Sequence, residues 1–548
     1  MIFSPPPTQP TGIYTNATNI SWLTENTLNF TKTFADNHTL DVLTGYSAQK
    51  FRQEIVRLTG YGFPDDDVSW IDAASLRGIS LNFPIPANSN NNASEWSLLS
   101  GFARVNYDYK GKYLLSASVR RDGSSRFGSE NRWGTFPAIS AGWILSQENF
   151  FRAIAPVSFL KLRAEYGTSG NFNIGNYSHY GNIGSTNYIF GGTLAPGRSA
   201  TSIGNNSLTW ETTKGFDIGL DAGLFKDRIN IVLDYYNKTT SNMLFQVDIP
   251  RGTGFPSIPS NIGEFKFSGF EVAVNSKNLT GELKWETSFN ISYNTNKVIA
   301  LGTNNEPLRG QDFEGRFRDA WRSAVGRPIG QWYGYVYDGV YDNAQELSSS
   351  PKYVSSYVGG AKYKDLNGDG EITVDDQTYI GNPNPKFLYG ITNSFSYKNV
   401  DLNFVLSGAT KHQVYYGLYE WSLVNNGIFN IEKGSNDRWR SEKNPGNGLY
   451  SSTLSGQNSG GGFSTRILDN AAFLAIRNIA LGYTIPVKGK IIRGARVFAS
   501  VQNAYIFTGY KGMNPEASSN GLNGTGQGAD FSPYPVPRVV SLGVNANF

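Results

Sequence analysis

The sequence contains no cysteine in its 548 residues. Disulfides, thiolate metal sites and cysteine nucleophiles are therefore excluded as sources of stability or chemistry. Histidine occurs only three times, at His38, His179 and His412. None of the three lies in an HExxH sequence or beside the partners of a catalytic triad, and no GxxxxGK[ST] phosphate loop occurs. These absences predict that the protein is not an enzyme.

Charged residues and long apolar runs are also scarce. Charged residues make up 17% of the chain, below the average of about 25% for soluble proteins. The net charge of +4 is spread along the chain without a Lys/Arg block, so no nucleic-acid partner is expected. No segment approaches the ~18 consecutive apolar residues that a membrane-spanning helix needs. The choice between a soluble and a membrane protein therefore depends on strand periodicity.

Aromatic residues and glycine are abundant, at 14% of the chain and 61 residues, as expected for many strands joined by turns. The segment LKWETSFNISYN, residues 283–294, separates by parity. Leu283 and Trp285 fall on an apolar face and Lys284 and Glu286 on a polar one, because side chains alternate along a strand. The same alternation recurs in the segments 113–120, 216–224, 228–235 and 540–548.

These alternating runs have the length and number of a membrane barrel. Each covers about 9–12 residues, enough for a tilted strand to cross a bilayer. Roughly 14–16 such runs are present. Short connections such as 108–112 and 398–401 occur beside long ones at about 60–95, 170–207, 301–385 and 411–470. The sequence therefore predicts an all-β, transmembrane antiparallel β-barrel with long extracellular loops, which is favoured over a soluble β-sandwich, solenoid or propeller.

Several segments resemble the SusC/RagA-type TonB-dependent outer-membrane transporters of the Bacteroidota. They include RRDGSSRFGSENRWGTFPAISAGWILSQENFF, GQWYGYVYDGVY and FLAIRNIALGYTIP. The matching segments run in consistent order through 120–151, 160–177, 208–244, 330–341, 363–409, 473–486 and 534–548.

The resemblance implies a large barrel gated by an N-terminal plug and energised through TonB. It also implies a SusD-like surface lipoprotein partner and import of oligosaccharides or peptides. A signal peptide, a TonB-contacting segment, a plug and the first strands are not found in this sequence, and Met1–Gly12 is a Pro-rich loop. Residues 1–548 are therefore expected to be the C-terminal portion of a larger barrel in the cell outer membrane.

Two other functions are compatible with the pattern. One is a surface-binding or adhesive protein that uses the barrel as an anchor, and the other is a passive porin. In each case the lipid bilayer and the barrel assembly machinery are expected partners. The terminal Phe548 resembles the aromatic signal read by that machinery, although it is equally explained as the last lipid-facing residue of the final strand.

One segment in the long loop insertion 301–385 has the spacing of a calcium loop. In the DLNGDGEITVDD sequence at 365–376, Gly370 would make the sharp turn, while position 12 is Asp rather than the usual Glu. The predicted calcium ligands are Asp365, Asn367, Asp369, Glu371 and Asp376. The alternative is an Asx-rich turn whose carboxylates accept backbone N–H groups.

The same insertion contains a cluster of aromatic residues. Trp332, Tyr333, Tyr335 and Tyr337 lie within six residues of one another. Their flat faces could stack on a sugar and bind substrate. The alternative is that they pack the loop or mark the membrane boundary.

Overall fold

Strands are the main regular structure of the computed structural model. Among the residues it describes, no helix combines the length and apolar character that a membrane crossing requires. The described residues are 11–64, 67, 70, 76–77, 90–151, 156–302, 304–310, 320–417, 431, 433–452, 462–486, 493–519 and 526–547. Phe548, the predicted assembly signal, lies outside them.

The strands vary from two to 24 residues in length. In chain order they are β1 (Thr11–Phe34), β2 (His38–Tyr61), β3 (Leu76–Arg77), β4 (Asn90–Tyr109), β5 (Tyr113–Ser124), β6 (Trp133–Ile144), β7 (Val157–Asn171), β8 (Ile183–Phe190), β9 (Thr193–Ala200), β10 (Glu211–Leu224), β11 (Ile229–Ser241), β12 (Leu244–Asp248), β13 (Ser257–Asn261), β14 (Glu264–Thr280), β15 (Leu283–Ala300), β16 (Leu308–Arg309), β17 (Trp321–Ser323), β18 (Gln331–Gly334), β19 (Tyr337–Val340), β20 (Ala361–Tyr363), β21 (Thr378–Gly381), β22 (Phe387–Tyr397), β23 (Val400–Thr410), β24 (Gln413–Tyr416), β25 (Leu468–Asn470), β26 (Phe473–Ile485), β27 (Gly494–Thr508), β28 (Ala529–Asp530) and β29 (Val539–Asn547).

The helical elements in the described part of the chain are short. One short α-helix, α1, follows β19, and its N-cap Asn343 accepts a hydrogen bond from the backbone N–H of Glu346 at 2.8 Å. The helix and the 3₁₀ turns are α1 (Ala344–Ser349), Leu145–Gln147, Arg251–Thr253, Val374–Asp376, Lys433–Asp437 and Thr465–Ile467.

Most of the long strands belong to one antiparallel sheet. Its hydrogen-bonded order is β1-β2-β4-β5-β6-β7-β10-β11-β14-β15-β22-β23-β26-β27-β29, with β3 paired to β2. The 15 strands along this path lie within the range expected from the alternating runs. The prediction of an all-β antiparallel fold is therefore confirmed.

Short connections require special backbone conformations. Between β4 and β5, Lys110 and Gly111 adopt φ angles of 60° and 67°. Two consecutive left-handed residues form the tight hairpin turn that matches the twist of paired strands. The Asp108 carboxylate accepts a hydrogen bond from the Gly111 N–H at 2.6 Å, which fixes the turn.

The apolar face of the sheet carries two rows of rings. Trp285 of β15 lies opposite Phe395 of β22, with ring centroids 5.4 Å apart. Tyr293 lies opposite Phe387, with centroids 4.9 Å apart. Eight residues separate the rows on β15, or about 26 Å along the strand. A tilt of about 40° reduces this to roughly 20 Å along a membrane normal, comparable with the ~25 Å apolar band of outer-membrane barrels.

The opposite face is polar and carries paired charges. Arg163 of β7 forms ion pairs with Asp217 and Asp221 of β10, both at 3.2 Å, and with Asp234 of β11. Further along the sheet, the Arg496 guanidinium lies 2.5 Å from the Asp401 carboxylate. Such charges are compatible with a water-filled interior and not with lipid. The alternating residues that the sequence assigned to an apolar and a polar face therefore lie on the apolar and polar faces of the sheet.

The residues group into two compact units. The first comprises Met1–Ser140, Gly167–Thr213 and Asn242–Ile262, and the second comprises Ala141–Tyr166, Lys214–Ser241 and Gly263–Phe548.

The core of the first unit is aromatic. Phe127, Phe136 and Trp210 are buried together, and the Trp210 indole N–H donates to the Arg132 carbonyl at 3.0 Å. Gly170 permits this packing, because a Cβ there would lie 2.0 Å from Cζ of Phe136. The second unit contains the features that bear on function.

Candidate functional site

Three long connections in the second unit share one core, and we call them the loop assembly. They join β15 to β22, β23 to β26 and β27 to β29. Because two consecutive antiparallel strands separate each connection from the next, all three leave from the same ends of their strands. Their buried core residues are Ala320, Trp321, Trp332, Val414, Tyr415, Tyr416, Tyr450, Phe463, Ile467, Ala471, Tyr510 and Ala529.

Two tryptophans at the centre of this core connect the three segments. Trp332 has no exposed surface, and its ring stacks on Phe463 with centroids 5.4 Å apart. The Trp332 indole N–H donates to the Gln413 carbonyl at 3.0 Å, while that of Trp321 donates to the Gln527 carbonyl at 2.9 Å. Buried indoles with satisfied N–H groups give the assembly a specific packing rather than a loose collapse.

The four aromatics predicted to contact substrate are placed differently from one another. Trp332 and Tyr335 are buried, so their role in this structure is packing, the alternative considered from the sequence. Tyr333 has one ring face covered by the Arg322 guanidinium at 3.7 Å. Tyr337 donates its hydroxyl hydrogen to the Gly448 carbonyl at 2.9 Å. The structure therefore offers no exposed platform made of these four rings.

The polar face of the second unit borders a concavity of 630 Å³. Asp234, Glu271 and Ser292 follow one another across β11, β14 and β15 in register. Glu516, from the connection after β27, also lines the concavity and accepts a hydrogen bond from Arg477 at 2.6 Å. A loop-assembly residue therefore reaches the polar wall. These polar side chains lie among apolar ones such as Val272 and Leu388, and an open concavity of this size fits the interior of a conduit for solutes.

The DLNGDG segment forms a network of Asx turns. Asp365 accepts hydrogen bonds from the N–H groups of Gly368 at 2.6 Å and Gly370 at 2.9 Å. The buried Asp376 accepts from the N–H groups of Leu366 and Thr373, each at 2.8 Å. The segment is thus folded around its own carboxylates.

The other predicted calcium ligands belong to the same network. The Asp369 carboxylate accepts from the Glu371 N–H at 2.9 Å and from the Asn367 amide at 2.8 Å. In the described part of the chain, no three acidic or histidine side chains are grouped to hold a metal ion. Each carboxylate oxygen retains a further lone pair, so these hydrogen bonds and cation binding are chemically compatible.

Electrostatics favour the charged form of Asp365. The Gly370 N–H has the largest effect and lowers the pKa of the Asp365 carboxyl, and the hydrogen bond from Gly368 acts in the same direction. Burial acts in the opposite direction, with an effect between those of the two hydrogen bonds, and the net result is a lowered pKa of Asp365. An anionic Asp365 is therefore part of the folded turn.

Arg466 is a further notable residue of the loop assembly, although the sequence analysis did not single it out. It is buried at 7% exposure in the 3₁₀ turn Thr465–Ile467. One signal was present in the sequence, because Arg466 is the only charged residue between Lys443 and Asp469.

A sheet with an apolar face bounded by aromatic rows and a charged, hydrated opposite face defines an outer-membrane β-barrel protein. Comparison with known proteins agrees. The chain matches the family model described as TonB dependent receptor-like, beta-barrel, over residues 4–504. It belongs to this family and is of the SusC and RagA type, which confirms the resemblance found in the sequence and the outer-membrane location.

Several curated relatives are similar over most of the chain. TonB-dependent receptor P26 of Formosa agariphila is 33% identical over 546 residues, covering 96% of this chain and 53% of the relative. TonB-dependent receptor SusC of Bacteroides thetaiotaomicron is 33% identical over 482 residues, covering 83% and 44%. The chain thus spans about half the length of the curated relatives it matches.

Solved structures support the fold. The RagAB peptide transporter has a TM-score of 0.83 at 24% identity, covering 98% of this chain and 56% of that one. The "open-open" state of the RagAB peptide importer has a TM-score of 0.81. At this identity the likeness establishes the fold of the chain and leaves its solute to be determined.

Proposed function

We propose that this chain forms the barrel of an active outer-membrane importer for oligosaccharides or peptides. Import is driven through TonB, and a SusD-like surface lipoprotein covers the loop assembly. The observation that carries the proposal is the combination of family membership with a concavity on the polar face of the sheet that a loop residue, Glu516, helps to line. A packed assembly of long loops beside this concavity provides a surface where solute and partner can meet.

The solute class follows from the relatives named above. SusC and the RagAB peptide transporter are both similar to this chain, and the latter is named for peptides. Oligosaccharides and peptides both present polar and apolar surface, and the concavity is lined by both kinds of residue, for example Glu271 and Leu388. We place oligosaccharides first and peptides second.

Growth and co-purification test the proposal. Deleting the gene should abolish growth on one class of oligosaccharide or peptide as sole nutrient, and the intact gene should restore it. The tagged protein, extracted from outer membranes in mild detergent, should carry a surface lipoprotein with it. Normal growth of the deletion strain on every solute tested, together with purification as a lone chain, would contradict the proposal.

The two alternative functions give different results in the same strains. An adhesive anchor predicts lost surface attachment with unchanged uptake. A passive porin predicts solute flux through the purified protein in liposomes, without any TonB requirement. Proteins of the described family are named as receptors dependent on TonB, which favours the active importer.

Calcium binding at residues 365–376 is a separate proposal, in which the ion stiffens the turn. Asp365, Asn367, Asp369 and Asp376 would supply side-chain oxygens and Glu371 its carbonyl. Calorimetric titration of the purified protein with calcium should give a heat of binding, and the Asp365→Ala variant should give none. An absent heat, with proteolysis of this segment unchanged by chelator, would eliminate calcium and leave the Asx-turn role.

A further inference from the structure

Arg466 is a buried cation that forms no hydrogen bond or ion pair with any described residue. Its Nε, Nη1 and Nη2 atoms are all enclosed and all lack a hydrogen-bond partner. A guanidinium carries five N–H donors, and burying them without acceptors is costly. Buried arginines elsewhere in proteins are accordingly paired with carboxylate or phosphate. The side chain therefore lacks the partner for which its chemistry is suited.

The contacts that Arg466 does make hold it in place without neutralising it. Its guanidinium carbon lies 5.0 Å from the centre of the Tyr337 ring. The Thr465 hydroxyl accepts a hydrogen bond from the Tyr337 N–H at 3.0 Å, and the Thr465 N–H donates to the Tyr335 carbonyl at 3.0 Å. The ring and these bonds fix the position of the cation and leave its donors free.

Two enclosed hydroxyl groups lie in adjoining segments of the loop assembly. The hydroxyls are those of Tyr357 and Ser452. Their segments are joined, because the Ser452 N–H donates to the Gly359 carbonyl at 2.8 Å. Burial raises the pKa of Tyr357, while the Ser452 hydroxyl and the positive charge of Arg466 act to lower it. Both hydroxyls are uncharged groups and supply no anion to Arg466.

Neighbouring acidic groups are committed elsewhere. Asp338 follows Tyr337 in the chain, but its carboxylate lies 3.6 Å from the Lys362 ammonium. Glu346 lies 2.7 Å from the same ammonium. The uncharged run from 444 to 465 brings no carboxylate either. Among the described residues, Arg466 therefore has a charge and N–H donors without a matching anion.

We propose that Arg466 is the binding residue for an oxyanion, a carboxylate or sulfate group, carried by the solute that the barrel imports. Arginine presents two parallel N–H donors that match two oxygens of such a group. The inference rests on the proposed import function for the origin of the ligand, and it narrows the solute class to acidic oligosaccharides or peptides. The binding site itself can be tested without transport.

The first test measures the binding of small anions to the purified full-length protein. Calorimetric titrations with sodium sulfate and with sodium acetate, at constant ionic strength, should each give a binding heat. Arg466→Met, which keeps the length of the side chain and removes the charge, should weaken both affinities about tenfold or more. In sodium chloride alone this variant should unfold at a higher temperature than the parent, because a buried unpaired charge has been removed.

Control variants separate this site from general charge effects. Arg322→Met removes another arginine that lies over a tyrosine ring in the same assembly, and it should leave sulfate and acetate binding unchanged. Arg466→Lys should retain weaker binding, because an ammonium keeps the charge and loses the paired donors. No anion response in the parent protein, or an equal response in the parent and Arg466→Met, would overturn the proposal.

A second arm distinguishes the sources of the anion. Glucuronate and N-acetylglycine should bind the parent protein in competition with sulfate, whereas glucose and N-acetylglycinamide should not. Binding of sulfate and acetate without glucuronate or N-acetylglycine would overturn the solute assignment and leave a site for a small free anion. The binding assay requires neither TonB nor a membrane potential. A failure of the import proposal can therefore be distinguished from a failure of the binding-site proposal.

Discussion

Trp285 and Phe395 lie directly opposite each other on β15 and β22, with stacked rings whose centroids are 5.4 Å apart. They mark one edge of the apolar face, and Tyr293 lies in the row at the other edge. Side chains between the rows should be in contact with lipid. The loss of barrel stability caused by an introduced charge should therefore depend on the position of that charge relative to the two rows.

Phe289 lies midway between the two rows on β15. Replacing Phe289 with Arg should cost about 2–4 kcal/mol of barrel stability, and replacing Leu283 near the edge should cost about 0–1 kcal/mol. Asn290→Arg, on the polar face, should change stability by less than about 0.5 kcal/mol. Urea unfolding in liposomes measures all three variants. Equal costs for Phe289→Arg and Asn290→Arg would refute the assignment of the faces.

Trp332 should be more important for the loop assembly than an exposed aromatic. Its complete burial predicts that Trp332→Ala costs about 3–5 kcal/mol and opens the assembly to exchange with solvent. Tyr534, which is 94% exposed in the connection after β27, serves as the control, and its replacement by Ala should cost less than about 0.5 kcal/mol. Hydrogen exchange measured by mass spectrometry resolves the two. Unchanged protection of residues 413–416 and 463–467 in Trp332→Ala would show that the assembly does not depend on this ring.

Arg163 should contribute to the stability of the barrel because it neutralises three carboxylates on the polar face. Arg163→Met would leave Asp217, Asp221 and Asp234 facing one another, and we expect a loss of about 1–3 kcal/mol. Arg163→Lys keeps the charge without the planar fork and should lose less. The temperature at which the folded band disappears in gel electrophoresis reports the order of stability. Arg163→Met as stable as the parent would mean that water alone screens the cluster.

The turn at 365–376 should weaken in acid. The lowered pKa of Asp365 means that its stabilising effect is complete above the unfolded-state value of about 3.9. The effect is lost as the pH falls below that value and through the folded pKa, because the protonated carboxyl is a poorer acceptor. Hydrogen exchange of the Gly368 and Gly370 amides, corrected for intrinsic rates, should rise below about pH 4 in the parent. Asp365→Asn should show no such change, and an equal pH response in both proteins would contradict the account.

Local sequence patterns were sufficient to predict the strands and one turn. The parity of Trp285, Phe289 and Tyr293 indicated the face that the paired strands confirm, because alternation is a property of a single strand. The DLNGDG turn was foreseeable as one of two alternatives for the same reason, since Asp365 bonds to groups three and five residues away. Whether this segment binds calcium stays a prediction.

The loop assembly could not be predicted in this way. The Trp321 indole bonds to Gln527, 206 residues away, and no local pattern encodes such a contact. From the sequence the aromatic cluster at 332–337 could therefore be a platform or a core, and no local pattern shows that Trp332 and Tyr335 are buried. Arg466 was missed because burial without a partner is visible only when distant segments are assembled.

Energy-coupled import is the central claim, and the initial rate of solute uptake tests it most directly. A labelled oligosaccharide or peptide that supports growth through this protein would be given to intact cells with and without TonB. The account predicts rapid uptake that is lost when TonB is deleted and when a protonophore collapses the inner-membrane potential. Uptake at the same rate in cells lacking TonB would contradict it and would instead identify a passive pore.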